Sequence, residues 1–185
     1  VNPDGSEQRV IYGVPPDLDE PDVFAPTAWE AYTYGANNNA GRTHAQEGTG
    51  YRHHWNTPSS IEIDAFGRTI RTVERNRPRN AADDPRQPIS DPPEPIEEIV
   101  IRSTYDIRGN VLTVTDALNR KAFAYRYDLA NQTLRIDSID AGIRRIVLDA
   151  MGSEIERRDS KQALVLQEYD RLNRPARLWA RDNQN

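Results

Sequence analysis

The chain has 185 residues, of which 36% are hydrophobic and 29% are charged, and its formal net charge at pH 7 is −5. This acidic balance argues against a nucleic-acid partner, which needs a basic patch. The chain has no cysteine, which excludes a disulfide framework and a thiolate zinc site, and no apolar run approaches the length of a membrane span, so we expect no membrane contact by this segment.

Residues 1–28 are rich in proline and aspartate, and their apolar anchors are Val10–Tyr12 and Val23–Phe24. This composition predicts an extended arm packed on something else. Residues 29–76 follow as a lead-in segment that ends with a first hairpin. Its strand-like pieces are Trp29–Tyr34, Tyr51–Trp55, Ser60–Asp64 and Thr69–Glu74.

Residues 77–95 contain six of the thirteen prolines of the chain. Proline has no backbone N–H to donate, so this stretch cannot supply central strands. It is predicted to be an insertion or linker between the first hairpin and the main array. A disordered linker and an ordered loop across the sheet both fit, and the composition favours the linker.

A short motif, Asp-x-x-Gly or Asp-x-x-Asn, dominates the second half of the chain. Glycine and asparagine most readily accept the left-handed backbone conformation, and an aspartate at the first position accepts hydrogen bonds from the N–H groups after it. Each copy is therefore predicted to be the tip of a β-hairpin, a type I turn closed by a bulge. The predicted turn residues are Asp64 and Gly67, Asp106 and Gly109, Asp116 and Asn119, Asp128 and Asn131, Asp149 and Gly152, and Asp170 and Asn173.

The segments between these tips have the alternation of β-strands, as where Leu134 and Ile136 alternate with charged neighbours. One strand plus one turn separates successive tips, so residues 96–185 are predicted to form an all-β array, an antiparallel meander of hairpins. Two further turns are expected, at Asp159–Gln162 and within 137–142. Their type is left open because glutamine replaces the preferred residue in the first and the register of the second is ambiguous.

Three of the motifs follow a tyrosine, at Tyr105, Tyr127 and Tyr169. Such a ring is expected to pack across the neighbouring hairpin, with its hydroxyl reaching polar groups near the turn. The alternative is that these rings, with Trp55 and Trp179, stay exposed and stack on sugars.

Catalytic and metal-binding chemistry is not expected. His44, His53 and His54 could join Asp64 at a metal, but adjacent histidines on a strand point to opposite faces. The recurrent aspartates begin turns, where backbone N–H groups occupy their oxygens, so they are poor candidates for a glycosidase pair. No catalytic, cofactor-binding or metal-binding residue is predicted, and the segment is interpreted as non-enzymatic.

The Tyr-Asp-x-x-Gly-Asn turn at Tyr105–Asn110 resembles the YD repeat of the Rhs family. Trp29–His44 and Tyr51–Ser60 resemble the segment that leads into the Rhs region of the B component of bacterial insecticidal toxin complexes. Together the resemblances cover about residues 26–76 and 96–185. They imply that the hairpin array is a strip of a large curved β-shell.

The resemblance also implies a function. The chain would be one piece of a longer, secreted polypeptide that joins a C component to form a hollow shell around a toxic passenger polypeptide, and the shell would dock on a pore-forming A component. Toxin-type Rhs proteins carry an aspartyl autoprotease, but its cleavage motif is absent here. The rivals are an adhesion or glycan-binding YD-repeat module and, third, a glycoside-active enzyme. The passenger, the target cell, the oligomeric state of this segment and the inward face of the sheet are left open.

Overall fold

The computed structural model describes residues 2–3, 5–39, 43, 56–77 and 95–182. These residues form twelve β-strands and one short 3-10 helix, Asn37–Asn39. The chain divides into two compact units, Val1–Arg102 and Ser103–Asn185. In each unit the strands are neighbours in chain order and pair antiparallel, so the predicted all-β meander is confirmed. Within the described part of the chain, no helix is long and apolar enough to cross a membrane.

The strands of the first unit are separated by connections of very different length. They are β1 (Arg9–Val14), β2 (Ala25–Tyr34), β3 (Ser59–Ile63), β4 (Thr69–Asn76) and β5 (Glu97–Tyr105), the last of which spans the division between the units.

The strands of the second unit are five to seven residues long, and each connection is short. They are β6 (Val111–Thr115), β7 (Lys121–Tyr127), β8 (Thr133–Ser138), β9 (Gly142–Leu148), β10 (Glu154–Arg158), β11 (Leu164–Tyr169) and β12 (Pro175–Arg181).

The first unit contains a small apolar core on one face of β1 and β2. Ile11 lies opposite Tyr32 in the register, and both are buried together with Tyr34. Leu18 and Phe24, from the connection between the two strands, pack against this cluster. The Tyr34 hydroxyl donates to the carbonyl oxygen of Leu18 at 3.2 Å, so the connection folds over the strands it joins.

The structure therefore differs from the arm expected for residues 1–28, because β1 is a paired strand of the sheet. Its burial alternates, with Ile11 buried between the exposed Val10 and Tyr12. This alternation outweighs the prolines, which lie outside the strand. The other predicted boundaries stay predictions. Residues 78–94 of the predicted insertion and the strand-like piece Tyr51–Trp55 lie outside the described residues.

The second unit buries few side chains. Ser138 is the one residue of its described part classed as buried, and every residue of β12 is exposed. A single sheet layer has this property because neither face is covered by a second layer from within the unit. The low hydrophobic content of the sequence agrees with this architecture.

Candidate functional site

The six predicted tips share one backbone geometry. In each, the aspartate N–H donates to the carbonyl oxygen four residues on, and the N–H of the Gly or Asn donates back to the aspartate carbonyl oxygen. Gly67, Gly109 and Gly152 have φ of 75°, 92° and 84°. The corresponding asparagines, Asn119, Asn131 and Asn173, have φ between 57° and 65°. The left-handed conformation that these residue types favour is therefore used at every tip.

A seventh tip of the same kind joins β10 to β11. The N–H of Asp159 donates to the carbonyl oxygen of Ala163 at 3.2 Å, and Gln162 takes the left-handed position with φ of 64°. The sequence did not predict the type of this turn, because glutamine is unusual at the fourth position of the motif. Its aspartate makes the same hydrogen bonds as the others, so the first position of the motif predicts the turn better than the fourth.

The aspartate carboxylates accept backbone N–H groups in the tips. At Asp116, Oδ1 accepts the N–H groups of Leu118 at 3.0 Å and Arg120 at 2.9 Å, and Oδ2 in addition accepts from the Arg120 guanidinium at 2.7 Å. The hydrogen bond from the Arg120 side chain is the main cause that lowers the pKa of Asp116 below its ordinary value. A carboxylate so occupied is a structural group and a poor general base.

Three other tip aspartates have the same electrostatic signature. The pKa values of Asp64 and Asp170 are lowered chiefly by hydrogen bonds from the side chains of Arg68 and Arg174, four residues on. At Asp106 the main cause is a neutral donor, the amide of Asn110 at 2.9 Å. In these four tips, the side chain of the fifth residue of the motif therefore holds the carboxylate of the first.

The tips form two rows, because successive hairpins of an antiparallel meander turn at opposite ends of the strands. We call these two ends of the strands the first edge and the second edge. The first edge of the second unit carries the tips 106–110, 128–132, 149–153 and 170–174, and the second edge carries 116–120, 138–142 and 159–163.

Neighbouring tips on the first edge are tied to each other by side chains. Arg108 donates to the carbonyl oxygen of Leu129 at 2.6 Å, and the Asn110 amide donates to Asn131 Oδ1 at 2.9 Å. Further along the edge, Ser153 Oγ donates to Asn173 Oδ1 at 3.0 Å. Residues 20 or 21 positions apart in the chain therefore meet, and the structural repeat is a pair of hairpins.

The repeat tyrosines add a second tie on this edge. The Tyr127 hydroxyl donates to the carbonyl oxygen of Val111 at 2.9 Å, and the Tyr169 hydroxyl donates to that of Glu154 at 3.2 Å. Val111 and Glu154 each directly follow the preceding tip on the edge, so each tyrosine spans two tips. Tyr105 ends β5 and is half-buried.

The ring of Tyr127 has its aromatic neighbours on its own strand. Phe123, Tyr125 and Tyr127 alternate along β7, and their successive centroids are 6.1 and 6.3 Å apart in stacked geometry. The hydroxyl of Tyr127 thus reaches the neighbouring strand, and its ring stacks along its own strand. Side chains at alternate positions share a face of a strand, which accounts for the stack.

The middle positions of the tips carry apolar side chains that sequence reasoning overlooked. Ile107 is 98% exposed and Leu129 is 87% exposed, and both lie on the first edge. Phe66, Leu118, Met151 and Leu172 are other exposed apolar residues of the tips. The signal was present in the sequence, in the apolar residues between the Asp and the Gly or Asn of several copies.

The described residues include no group of three or more His, Asp or Glu side chains placed to hold a metal ion. His44, His53 and His54 lie outside the described residues, as does Trp55. Trp179, the other tryptophan considered as a sugar platform, is 49% exposed on β12.

Comparison of the sequence with protein-family models found no match, and comparison with curated proteins found none either. Comparison of the fold with solved structures found similar chains. In the Photorhabdus luminescens Tc holotoxin pore, the likeness covers 87% of this chain at a TM-score of 0.69 and 19% identity. In a structure of TcdB2-TccC3, the likeness covers 86% of this chain at a TM-score of 0.66 and 19% identity. In a structure of TcdB2-TccC3 without its hypervariable C-terminal region, it covers 82% of this chain at a TM-score of 0.62 and 22% identity.

The chain spans only 7–8% of the length of these matched chains. The fold of this segment is therefore that of one stretch of a Tc toxin chain.

Proposed function

We propose that these residues form a structural, non-catalytic section of an Rhs-type β-shell that encapsulates a toxic passenger polypeptide in a bacterial toxin complex. The observation that carries the proposal is the likeness to the Tc holotoxin pore, at a TM-score of 0.69 over 87% of the chain. Its partners would be the rest of its own polypeptide, the C and A components and the passenger. As part of a secreted toxin, the segment would act outside the producing cell.

The ties between tips support a mechanical role. A single sheet layer has no second layer to stiffen it, so bending must be resisted at the strands and at the edges. Links such as Asn110 to Asn131 and Ser153 to Asn173 join two pairs of neighbouring tips on the first edge. A strip of hairpins held in this way is suited to form a continuous wall.

The chemistry of the tips supports a non-catalytic role. The recurrent carboxylates accept two backbone N–H groups through one oxygen, as Asp128 does from Ala130 and Gln132, both at 2.8 Å. These bonds fix the turn and occupy the carboxylate oxygen that accepts them, so the tip aspartates are poor candidates for a catalytic pair.

A segment exchange tests the proposal. The stretch of TcdB2-TccC3 that matches this chain would be replaced by residues 1–185, and the shell would carry a passenger that is rapidly digested by protease when free. We expect the chimera to assemble and to protect the passenger as the parent does. A chimera that assembles but leaves the passenger as sensitive as the free polypeptide would contradict encapsulation.

A second candidate, a glycan-binding or adhesion module, is favoured by one observation. Trp179 lies directly opposite Leu166 in the register, both are exposed, and with Arg181 they line a concavity of about 410 Å³. An exposed indole beside an arginine can stack on a sugar ring. A glycan array with the wild-type chain and with Trp179→Ala tests this: a reproducible hit that the variant loses supports the module, and no hit removes it.

A further inference from the structure

Four arginines lie side by side on four adjacent strands of the second unit. In the strand register Arg126 pairs with Arg135, Arg135 with Arg145, and Arg145 with Arg158. Residues directly opposite each other on antiparallel strands share a face of the sheet. The four side chains, which we name the arginine row, therefore leave the same face of β7 to β10.

Two of the four arginines of this row carry uncompensated positive charge. Like charges directly opposite each other destabilise a sheet, so such a row needs a counter-charge. Arg135 pairs with Asp137 at 3.1 Å and Arg158 with Glu156 at 2.5 Å. Within the part of the chain that the structure describes, Arg126 and Arg145 have no carboxylate within ion-pair distance. The chain as a whole has a net charge of −5, so the row is a local reversal of sign.

Further basic residues lie next to the row. A concavity of about 860 Å³ is lined by Arg126 and Arg135 together with Arg108 and Lys121. Three acids also line it: Asp137, which pairs with Arg135, and the tip residues Asp106 and Asp128.

We propose that the arginine row binds an acidic polypeptide segment of a partner protein in helical conformation. Each guanidinium group can bind one carboxylate through two parallel hydrogen bonds, so a row of arginines can bind a row of acidic side chains. Adjacent strands are about 4.8 Å apart, so the row offers one arginine roughly every 4.8 Å across the sheet. This proposal does not depend on the shell function.

The spacing selects the helix. An α-helix rises about 1.5 Å per residue, so acids at i, i+4, i+7 and i+11 lie on one face over about 16.5 Å, one for each strand crossed. Across three intervals the helix and the row differ by only about 2 Å, which flexible arginine side chains absorb. Same-face residues of an extended strand are about 6.7 Å apart and fall out of step by roughly 6 Å over the same distance.

Single-stranded nucleic acid fits the row less well. Proteins that bind it combine basic groups with aromatic platforms on which bases stack. The position that continues the row beyond Arg158 is Leu164, and the next is Arg181. The row and its continuation thus contain no aromatic residue. Tyr125 and Tyr127, which line the adjacent concavity, alternate with Arg126 along β7 and so lie on the other face.

Fluorescence anisotropy with two labelled peptides tests the proposal. Both are 18-residue alanine-based helices with four glutamates. One places the glutamates at i, i+4, i+7 and i+11, on one face, and the other distributes them around the helix. We expect the 185-residue chain to bind the first at least tenfold more tightly than the second, with an affinity that falls as salt is added. Equal affinity for the two peptides, or binding of neither, overturns the proposal.

Variants locate the site. Arg126→Gln with Arg145→Gln removes the two arginines that have no acid partner, and we expect at least a tenfold loss of affinity for the first peptide. Arg144→Gln is the matched control, because Arg144 is exposed but pairs with Ile136 on the opposite face, and its affinity should change by less than twofold. Equal losses in both variants would contradict the row.

The remaining controls concern folding and other polyanions. Removing like charges should leave the thermal midpoint of the double variant unchanged or higher. If the double variant fails to fold, the single Arg145→Gln variant and the two-peptide comparison still decide. Competition by heparin and by single-stranded RNA completes the test, since either polymer binding the row more tightly than the acidic helix would replace the proposed partner class.

Discussion

The Ser160 hydroxyl donates a hydrogen bond to the carbonyl oxygen of Ala141 at 2.9 Å, although the two residues belong to different hairpins. Ser160 lies in the tip between β10 and β11, and Ala141 lies in the turn between β8 and β9. The next residue, Gly142, has φ of 70°, and a Cβ on it would lie 2.5 Å from Ser160 Cβ. Only a glycine lets these two turns approach so closely.

Gly142→Ala should therefore destabilise the second unit by about 2–3 kcal/mol, from left-handed strain and from the clash with Ser160. Urea unfolding at equilibrium measures the loss. The double variant Gly142→Ala with Ser160→Gly removes the clash and should recover part of it, whereas Ser160→Gly alone costs about 1 kcal/mol through the lost hydrogen bond. If the free-energy changes of the two single variants add up to that of the double variant, the two turns are not in contact.

Replacement of Gly109 isolates backbone strain, because a Cβ there would meet no atom within 4 Å although φ is 92°. Gly109→Val is expected to cost on the order of 1–2 kcal/mol. Gly109→Asn should cost less than half of that, since Asn119, Asn131 and Asn173 occupy the same position in other tips. Chemical denaturation of the two variants side by side measures this, and equal costs would refute the strain argument.

Tyr127 contributes both a stacked ring and a hydrogen bond. Tyr127→Phe should lower the free energy of unfolding by about 1 kcal/mol, because the hydrogen bond to the Val111 carbonyl oxygen is lost. Tyr127→Ala should lose roughly 2–4 kcal/mol, because stacking on Tyr125 is lost as well. Thermal melts compare the two with Tyr12→Ala, whose ring is 70% exposed and whose loss should be small. An unchanged midpoint for Tyr127→Ala would remove the packing role.

Arg75 makes several contacts within the first unit. Its side chain is 4% exposed, pairs with Glu98 at 3.0 Å, donates to the Pro58 carbonyl oxygen at 3.0 Å and lies 5.0 Å from the Tyr32 ring centroid. Arg75→Met should cost about 2–4 kcal/mol because the donors to a buried carbonyl are lost. Arg75→Lys cannot reproduce the fork and should cost at least 1 kcal/mol.

The control for Arg75 is its exposed partner. Glu98→Gln should change the free energy of unfolding by less than 1 kcal/mol, as expected for an exposed ion pair. A larger effect from Glu98→Gln than from Arg75→Met would show that the ion pair, and not the carbonyl and ring contacts, holds the arginine.

Acid should destabilise the tips in a defined direction. The pKa values of Asp64, Asp106, Asp116 and Asp170 are lowered in the folded chain. A carboxylate with a lowered folded pKa contributes stability that is fully present above its unfolded pKa of about 4 and is lost as pH falls through the folded pKa. Urea midpoints should therefore be flat from neutral pH to about pH 5 and should fall below about pH 4.

Variants and salt separate the causes of this acid sensitivity. Asp116→Asn should reduce the drop in midpoint below pH 4. Added salt should weaken the contribution of Asp116, whose partner Arg120 is charged, more than that of Asp106, whose partner Asn110 is neutral. A midpoint that rises as pH falls from 5 to 3 would contradict the sign of the shifts.

The local structure of the second unit was predictable from the sequence because each tip is determined within five residues. The aspartate at its first position supplies the acceptor and the Gly or Asn at its fourth permits positive φ, as at Asp106 and Gly109. Alternating apolar residues then fixed the strands between the tips. The composition of residues 1–28 did not predict the paired strand Arg9–Val14, because proline and aspartate are frequent on both sides of it.

Long-range placement depended on the tertiary structure. Ser153 and Asn173 are 20 residues apart, and only the folding of two hairpins brings them to 3.0 Å. The arginine row likewise follows from strand register, since a shift of one residue on one strand would send its arginine to the other face. The sequence by itself determined where the chain turns, because turning is a local property of the backbone. The tertiary structure alone decided which turns and which charges become neighbours, because that depends on how separate hairpins pair.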